Sequence, residues 1–598
     1  MEAKKLLTLA LTGLLAGGCL MVPALAEDAD GQSSGNPATY TIPARVKRIE
    51  DYAFAGDTSL ERVKISDGVT EIGDYAFSGC TNLQEIELPD GLTKIGNHAF
   101  DGCTALVRLG DMNQLESIGE YAFSGCEVLE SIGDMPKLQT IGNYAFAEQT
   151  VTDEDSGTVT TVSCRSLKTI GNLDSVTRIG SEAFSGCREL ESIGALPNVT
   201  RIAFGAFQNC EKLKKVEGLG KLTAINRNTF TGCTSLKSIG NLLNVTSIGE
   251  QAFAGCASLE SIGNLQNVKS IGSSAFGSYV CYDENHMYQH VYCTSLKSIG
   301  DMPKLETIGA SAFECCSSLE SVGDLSSVTS IGDSTFIGCS SLESVGDLSS
   351  VTSIGEWAFE CCSALASVGN LSNVTSIGEH AFYGCSSLAS VGELSSVMSI
   401  GNLAFYGCSS LASVGNLRNV MSIGEYAFSG CKALASVGDL SNVTSIGEWA
   451  FECCSALASV GDLSNVTSIG EWAFYGCSAL TSVGDLSSVT SIGGQAFNGC
   501  SALESVGNLS NVTSIGEYAF SGCKALASVG DLSNVTSIGE WAFSDCSALA
   551  SIGDLRSVTE IGNYAFYKCP ALTLCVLPNS YAENYAKSNN IKYTYIED

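Results

Sequence analysis

The sequence predicts an α/β solenoid of about 22 short coils, and three observations predict it. The first is a phenylalanine that returns at fixed spacing: Phe54, Phe77, Phe100, Phe123 and Phe146, then Phe184, Phe207, Phe230, Phe253 and Phe276, then Phe313 and every 23rd residue to Phe566. The second is a skewed composition, 64 Gly against 9 Pro with 27 Cys in 598 residues, which does not suit the separate domains that such a length suggests at roughly 150 residues each. The third is the balance of 44% apolar to 16% charged residues, enough to bury a large core and unlike a disordered acidic chain. A fixed period of roughly 20–29 residues marks leucine-rich repeat solenoids, in which no coil buries its apolar set alone and stacked neighbours share one core.

The chain opens with Lys4 and Lys5 before an apolar run from Leu6 to Val22, and Ala24-Leu25-Ala26 supplies a small-x-small pattern before Glu27. Residues 1–26 therefore read as a secretory signal cut after Ala26. A membrane anchor is opposed by Gly13, Gly17, Gly18 and Pro23, and lipid attachment at Cys19 lacks the large aliphatic residue expected three places earlier. Residues 27–41 read as a linker and 42–577 as the solenoid, with insertions near 148–162 and 277–292. Residues 578–598 read as a C-terminal cap: Tyr581, Ala582, Tyr585 and Ala586 fall at helical spacing, and Ile591 to Tyr595 reads as a closing strand.

Within one coil the core positions are Leu342, Val345, Leu348, Val351, Ile354, Ala358, Phe359 and Cys362. Two short parallel strands are expected, near 342–345 and 351–354. A single helical turn is expected around Glu356-Trp357-Ala358-Phe359, where the acidic residue suits a helix N-terminus. At about 4.8 Å per stacked strand, the 22 coils make a curved rod on the order of 100 Å long.

At these residues the chain resembles the BspA-like leucine-rich repeat proteins. The segments Val69-Thr70-Glu71-Ile72-Gly73-Asp74-Tyr75-Ala76-Phe77-Ser78-Gly79-Cys80 and Leu83-Gln84-Glu85-Ile86-Glu87-Leu88-Pro89 carry the likeness. The resemblance runs from about Ile42 to the C-terminus and implies a secreted or surface-displayed protein of the kind linked to adhesion and host-protein binding. One departure stands out. Most coils replace the Ile-x-Ile-Pro strand by Val-Gly-Asp-Leu or Ile-Gly-Asn-Leu, as in Val345-Gly346-Asp347-Leu348. This sets Asp and Asn where the family has a second inward aliphatic. The preferred expectation is a buried column hydrogen-bonded to neighbouring backbone; the alternative is a bulge that turns it to solvent.

Twenty-one of the 27 Cys share one repeat position, from Cys80 to Cys569. Side chains one coil apart keep their Cβ atoms near 5 Å apart, wider than the ~3.8 Å a disulfide prefers, so these read as buried thiols packing like small hydrophobes. Cys315, Cys361 and Cys453 form Cys-Cys pairs that replace a turn Gly.

The insertions hold the non-repetitive sequence. Residues 148–162, with Asp153-Glu154-Asp155, read as a solvated loop. Residues 277–292 read as an aromatic contact loop with Tyr282, His286, Tyr288 and His290. Cys281, His286, His290 and Cys293 are of zinc-ligand type, but their spacing is non-standard and Cys293 is claimed by the core. No metal or other cofactor is assigned.

A further candidate surface lies two residues before each Phe. Trp357, Trp449, Trp472 and Trp541 sit there, with Tyr52, Tyr75, Tyr121, Tyr144, Tyr426, Tyr518 and Tyr564, and with His98 and His380. Such a column either stacks between coils or offers an aromatic strip to a protein or sugar. Beside it runs an acidic column that includes Glu356, Glu379, Glu425, Glu448, Glu471, Glu517 and Glu540.

The net charge of −33 speaks against nucleic acid and anionic membrane surfaces, which need basic patches to displace counterions. After the leader, no stretch is apolar for the roughly 18 residues of a membrane span. The four His are scattered or confined to the insertion, and no paired nucleophile and base emerges. The expectation is an extracellular, secreted or cell-surface, non-enzymatic recognition protein. It would bind host or neighbouring-cell proteins through its solenoid surface; the alternative is a glycan- or matrix-binding module using the aromatic column.

Overall fold

The computed structural model describes residues 39–152, 159–282 and 287–596; the expected export signal and most of the linker lie outside them. The chain is a solenoid of parallel ladders with one α-helix among the described residues, Tyr581–Ser588. The ladder of the second side of each coil is the more regular. Two-residue strands such as Ser353–Ile354 and Ser376–Ile377 pair in parallel, Ser with Ser and Ile with Ile. Eleven of them form one sheet from Ser330–Ile331 to Glu560–Ile561. In each pair the Ser faces out and the Ile is buried, the alternation a strand imposes.

The other strand ladder begins as a six-stranded sheet from Thr39–Ile42 to Thr169–Ile170, so its first strand starts inside the segment read as linker. In the central coils it thins to single bridges, Ser344 with Ser367 and Ser367 with Ser390. Gly346, at φ +71°, turns the chain out of the strand immediately after Val345, a conformation glycine adopts without steric cost. The same turn corrects the expected burial of the Asp/Asn column. Asp347 is exposed, and its Oδ1 accepts the Ser349 N–H at 2.8 Å. Asp324 does the same for Ser326, which lowers its pKa below the usual carboxylate value. In these coils a left-handed Gly followed by an Asx turn lets the polar side chain serve its own loop instead of the core. In the first coils Asp111 and Asp134, also exposed, instead accept the N–H of Asp134 and Asn172 in the next coil at 2.9 and 2.8 Å, so the expected bonds to neighbouring backbone form there without burial.

The third side is built of turns, not the helical turn anticipated around Glu-Trp-Ala-Phe. Trp357 sits at φ +53° and Cys361 at φ +59°, which interrupts any helix. Alternate N–H groups leave the coil: Trp357, Phe359 and Cys361 donate to the carbonyls of Glu379, Ala381 and Tyr383 at 2.9, 2.8 and 2.7 Å. The backbone is thus satisfied between coils on all three sides.

Inside, the Phe rings form one continuous spine. From Phe54 to Phe566 each stacks on the next, with centroids 5.1 to 5.6 Å apart. Beside it runs the cysteine ladder, whose members are free thiols. Each also makes a contact that its hydrophobe-like role does not require: the Sγ of Cys454 donates to Phe428 O and that of Cys477 to Phe451 O, both at 3.1 Å. Burial pushes thiols of this ladder up, to about 12 at Cys293 and about 11 at Cys80 and Cys569 near the two ends, so the reactive thiolate is suppressed there.

Both insertions are β-hairpins. The segment expected to be a loop pairs Gln149–Thr152 antiparallel with Val159–Val162; its Asp153-Glu154-Asp155 tip lies outside the described residues. The other pairs Tyr279–Tyr282 with Tyr288–Val291. Runs of Thr, Val and Tyr favour the pleated conformation, and this local preference outweighs the polar tips. At the far end, the helix Tyr581–Ser588 and the strand Lys592–Tyr595 lie over the last coils. Lys592–Tyr595 pairs in parallel with Thr573–Val576, and Ala582 and Ala586 are buried beneath the helix.

Candidate functional site

The position two residues before each Phe carries φ between +50° and +60° in every coil, whether occupied by Tyr, Trp, His, Leu403, Gln495, Ser334 or Gly205. The turn does not need an aromatic ring. Its left-handed conformation is sparsely populated by bulky residues and is held by the N–H bond to the next coil, 2.9 Å from Trp449 N to Glu471 O. The framework therefore leaves this position free, and its aromatic residues make a surface of their own.

That surface is three stacks. The first joins Tyr52, Tyr75, His98, Tyr121 and Tyr144, with centroids 4.4 to 4.7 Å apart. His98 Nδ1 lies 2.8 Å from Asp101, whose pKa burial raises. The third joins Tyr518, Trp541 and Tyr564 at 6.0 and 4.5 Å, and Tyr567 meets Trp541 edge-on.

The second is an unbroken network of eight rings. It runs from Trp357 to His380 (6.0 Å), Tyr383 (5.6 Å), Tyr406 (4.9 Å), Tyr426 (6.4 Å), Trp449 (5.5 Å), Trp472 (4.3 Å) and Tyr475 (4.9 Å). Tyr383, Tyr406, Tyr475 and Tyr567 are additions that the sequence reading missed. Their signal is the dipeptide Phe-Tyr at 382–383, 405–406, 474–475 and 566–567. Tyr383 and Tyr406 carry the network past Leu403, where the column itself is interrupted.

Stacking settles which part of each ring meets solvent. Parallel neighbours such as Tyr426, Trp449 and Trp472 cover one another's faces, whereas His380–Tyr383, Tyr406–Tyr426 and Trp472–Tyr475 meet at 46°, 62° and 55°. Trp449, Trp472, Trp541, Tyr426 and Tyr518 are half-buried, with Trp357 37% and Tyr564 54% exposed. Edges and polar tips point outward, and open faces remain at the stack ends. Glu356, Glu425, Glu448, Glu471, Glu517 and Glu540 stand exposed beside them; Trp541 Nε1 donates to Glu540 at 3.2 Å.

The 279–291 hairpin is a separate place. It rises from the coil of Phe276, three coils before the one carrying Trp357. Tyr288 is 70% exposed and Met287 is exposed beside it, and His290 stacks on Tyr292 at 6.0 Å. Tyr282 pairs with Tyr288 through the backbone; its side chain and the whole of His286 lie outside the described residues. Opposite residues share a face, so Cys281 with Gln289 and His290 with Val280 point to opposite sides. Cys293 is buried, its thiol 3.0 Å from Phe253 O. The Cys281–His290–Cys293 set does not converge on a metal.

A parallel-strand solenoid of 23-residue coils with a recurring core of Leu, Val, Ile, Phe and Cys is a repeat protein of the leucine-rich class. The family model described as BspA type Leucine rich repeat region matches residues 33–152, 161–281, 286–412, 398–527 and 486–594, and the chain belongs to that family. Among solved structures it is similar to a leucine rich cell surface protein from Faecalibacterium prausnitzii, at 25% identity over 59% of this chain and 87% of that one, with a TM-score of 0.33. A leucine-rich repeat protein from Bacteroides ovatus is 22% identical over 95% of this chain and 94% of that one, with a TM-score of 0.21. No curated protein matches the chain. Among the described residues no helix is long and apolar enough to cross a membrane.

Proposed function

We propose that this chain is an exported, non-enzymatic recognition protein that binds an extracellular protein through the aromatic strip of its third side. The observation that carries this reading is the eight-ring network, five of whose rings occupy a backbone position that Ser334, Leu403 and Gln495 hold in the same left-handed conformation. Aromatic residues in excess of what a fold needs, rimmed by polar groups, are what protein interfaces enrich.

The glycan reading is disfavoured by the same geometry. A sugar stacks on an open ring face, and seating one between two rings needs about 7 Å, two contacts of about 3.5 Å. The Trp449–Trp472 pair is 4.3 Å apart. Surface capture of purified extracellular-matrix and cell-surface proteins by immobilised mature chain tests the proposal. Saturable binding to at least one of them, weakened by Trp449→Ala with Trp472→Ala, is expected, together with no retention on polysaccharide columns. Retention on polysaccharide that the same double substitution abolishes would replace this reading by the glycan one.

A further inference from the structure

Charge is unevenly spread along the rod. From Arg45 to Lys304 there are 22 Lys and Arg against 32 Asp and Glu, whereas the 251 residues from Leu305 to Leu555 hold 24 Asp and Glu against Arg418, Lys432 and Lys524 alone. The first half neutralises its carboxylates internally. Lys64 meets Glu87, Lys212 meets Glu189, Lys214 meets Glu191 and Arg227 meets Glu250, each one coil away, at 2.6 to 3.3 Å. Between residues 307 and 544 no Lys or Arg pairs with a carboxylate, and the one acid–base contact is His380 Nδ1 with Glu379 at 3.4 Å, which is charged on both sides only when the imidazole is protonated. Glu425, Glu448 and Glu471 follow one another in successive coils with no cation in reach, beside Tyr426, Trp449 and Trp472.

We infer that the central strip, from Trp357 to Tyr475, docks an extended Lys- or Arg-rich segment of a partner protein. This rests on the protein-recognition reading above and names the chemistry of its partner. Like carboxylates one coil apart repel, and an approaching cation relieves that repulsion while gaining attraction from two or three of them at once. The rings beside them present edges, which are poor partners for a cation itself because the ring edge is the positive end of the quadrupole. They are good partners for the methylene stem of a Lys or Arg, whose head then reaches the Glu row. The five coil steps from Trp357 to Trp472 span about 24 Å at ~4.8 Å per step, the length of roughly seven residues of extended chain at ~3.3 Å each. A compact basic domain would touch less of this line than a strand or tail laid along it.

Three of the four Trp, Trp357, Trp449 and Trp472, lie in the central strip and the fourth, Trp541, in the third stack, so intrinsic fluorescence reports chiefly on the strip. The probe is a dodecapeptide of alternating Lys and Thr, titrated into the mature chain at about 150 mM salt, where only close charges still count; its Glu-Thr counterpart is the control. A saturable fluorescence change with the Lys peptide alone is expected. Glu425→Gln with Glu448→Gln and Glu471→Gln should weaken binding about tenfold, three exposed pairs at about 0.5 kcal/mol each. Asp439→Asn with Asp462→Asn and Asp485→Asn removes the same charge from the Asx-turn column, where Asn370 already makes the same turn, and should change binding by less than about twofold. No saturable change, or equal loss in the two triple variants, would overturn the inference. If peptide binding fails while capture of an extracellular protein succeeds, the recognition reading stands and the basic partner alone is lost.

Discussion

Phe451→Ala is expected to cost about 3–5 kcal/mol, more than any surface change in the molecule. The ring is fully buried and lies between Phe428 at 5.3 Å and Phe474 at 5.2 Å, so truncation leaves a cavity open to both neighbours. In a quasi-one-dimensional stack the damage stays near its origin, because each coil contacts only the adjacent ones. Hydrogen exchange should therefore show amides of the coils at Phe428, Phe451 and Phe474 opening about a hundredfold or more too often, since each 1.4 kcal/mol is tenfold. Amides around Phe77 should keep their protection. Uniform loss of protection along the whole chain would mean a globally cooperative core instead of a chain of shared interfaces.

Gly470→Ala is the second large effect, and its cause is a close approach. A Cβ at Gly470 would lie 2.6 Å from Glu448 N and 2.7 Å from Gly447 C, both backbone atoms of the preceding coil. That coil cannot retreat without breaking the Gly470 N–H bond to Ile446 O at 3.1 Å and opening the Phe spine beside it. Overpacking of this kind costs about 1–3 kcal/mol, with the lost backbone bond in addition. Gly220→Ala is the matched control, since nothing lies within 4 Å of its Cβ position, and its melting temperature should be unchanged or slightly raised. Equal destabilisation by the two substitutions would show that the Ile-Gly column does not set the coil spacing.

These glycines illustrate what the sequence makes legible. Periodicity placed the Phe spine, the Ile strands and the Cys ladder, because an apolar residue recurring every 23 positions can be buried only by stacking in register. Leu342, Val345, Leu348, Val351, Ile354, Phe359 and Cys362 are indeed all buried. Local conformation was harder to read. The Glu-Trp-Ala-Phe turn looks like a helix start because its acidic residue fits one, yet the left-handed Trp357 has no residue signature when Leu, Ser and Gln occupy the same site. The Asp347 column suggested burial by comparison with an aliphatic position, and the left-handed Gly346 beside it decides otherwise. Thr and Val in the first hairpin held a strand signal that the polar tip between them obscured.

The binding surface was legible as a column and not as a geometry. Spacing put Trp449 and Trp472 in line, but it could not say that their stacking covers the faces a sugar would use. Nor could the column position alone bring in Tyr383 and Tyr406, which lie three residues further on and bridge the gap at Leu403.

Solution X-ray scattering from residues 27–598 tests the central claim, that consecutive coils pile in one register around a single Phe spine. With 22 coils at ~4.8 Å each, in-register stacking gives a rod about 100 Å long and a radius of gyration of about 30 Å, with a distance distribution that peaks early and tails to the rod length. A bell-shaped distribution with a radius near 24 Å, the value for a compact chain of about 570 residues, would contradict it.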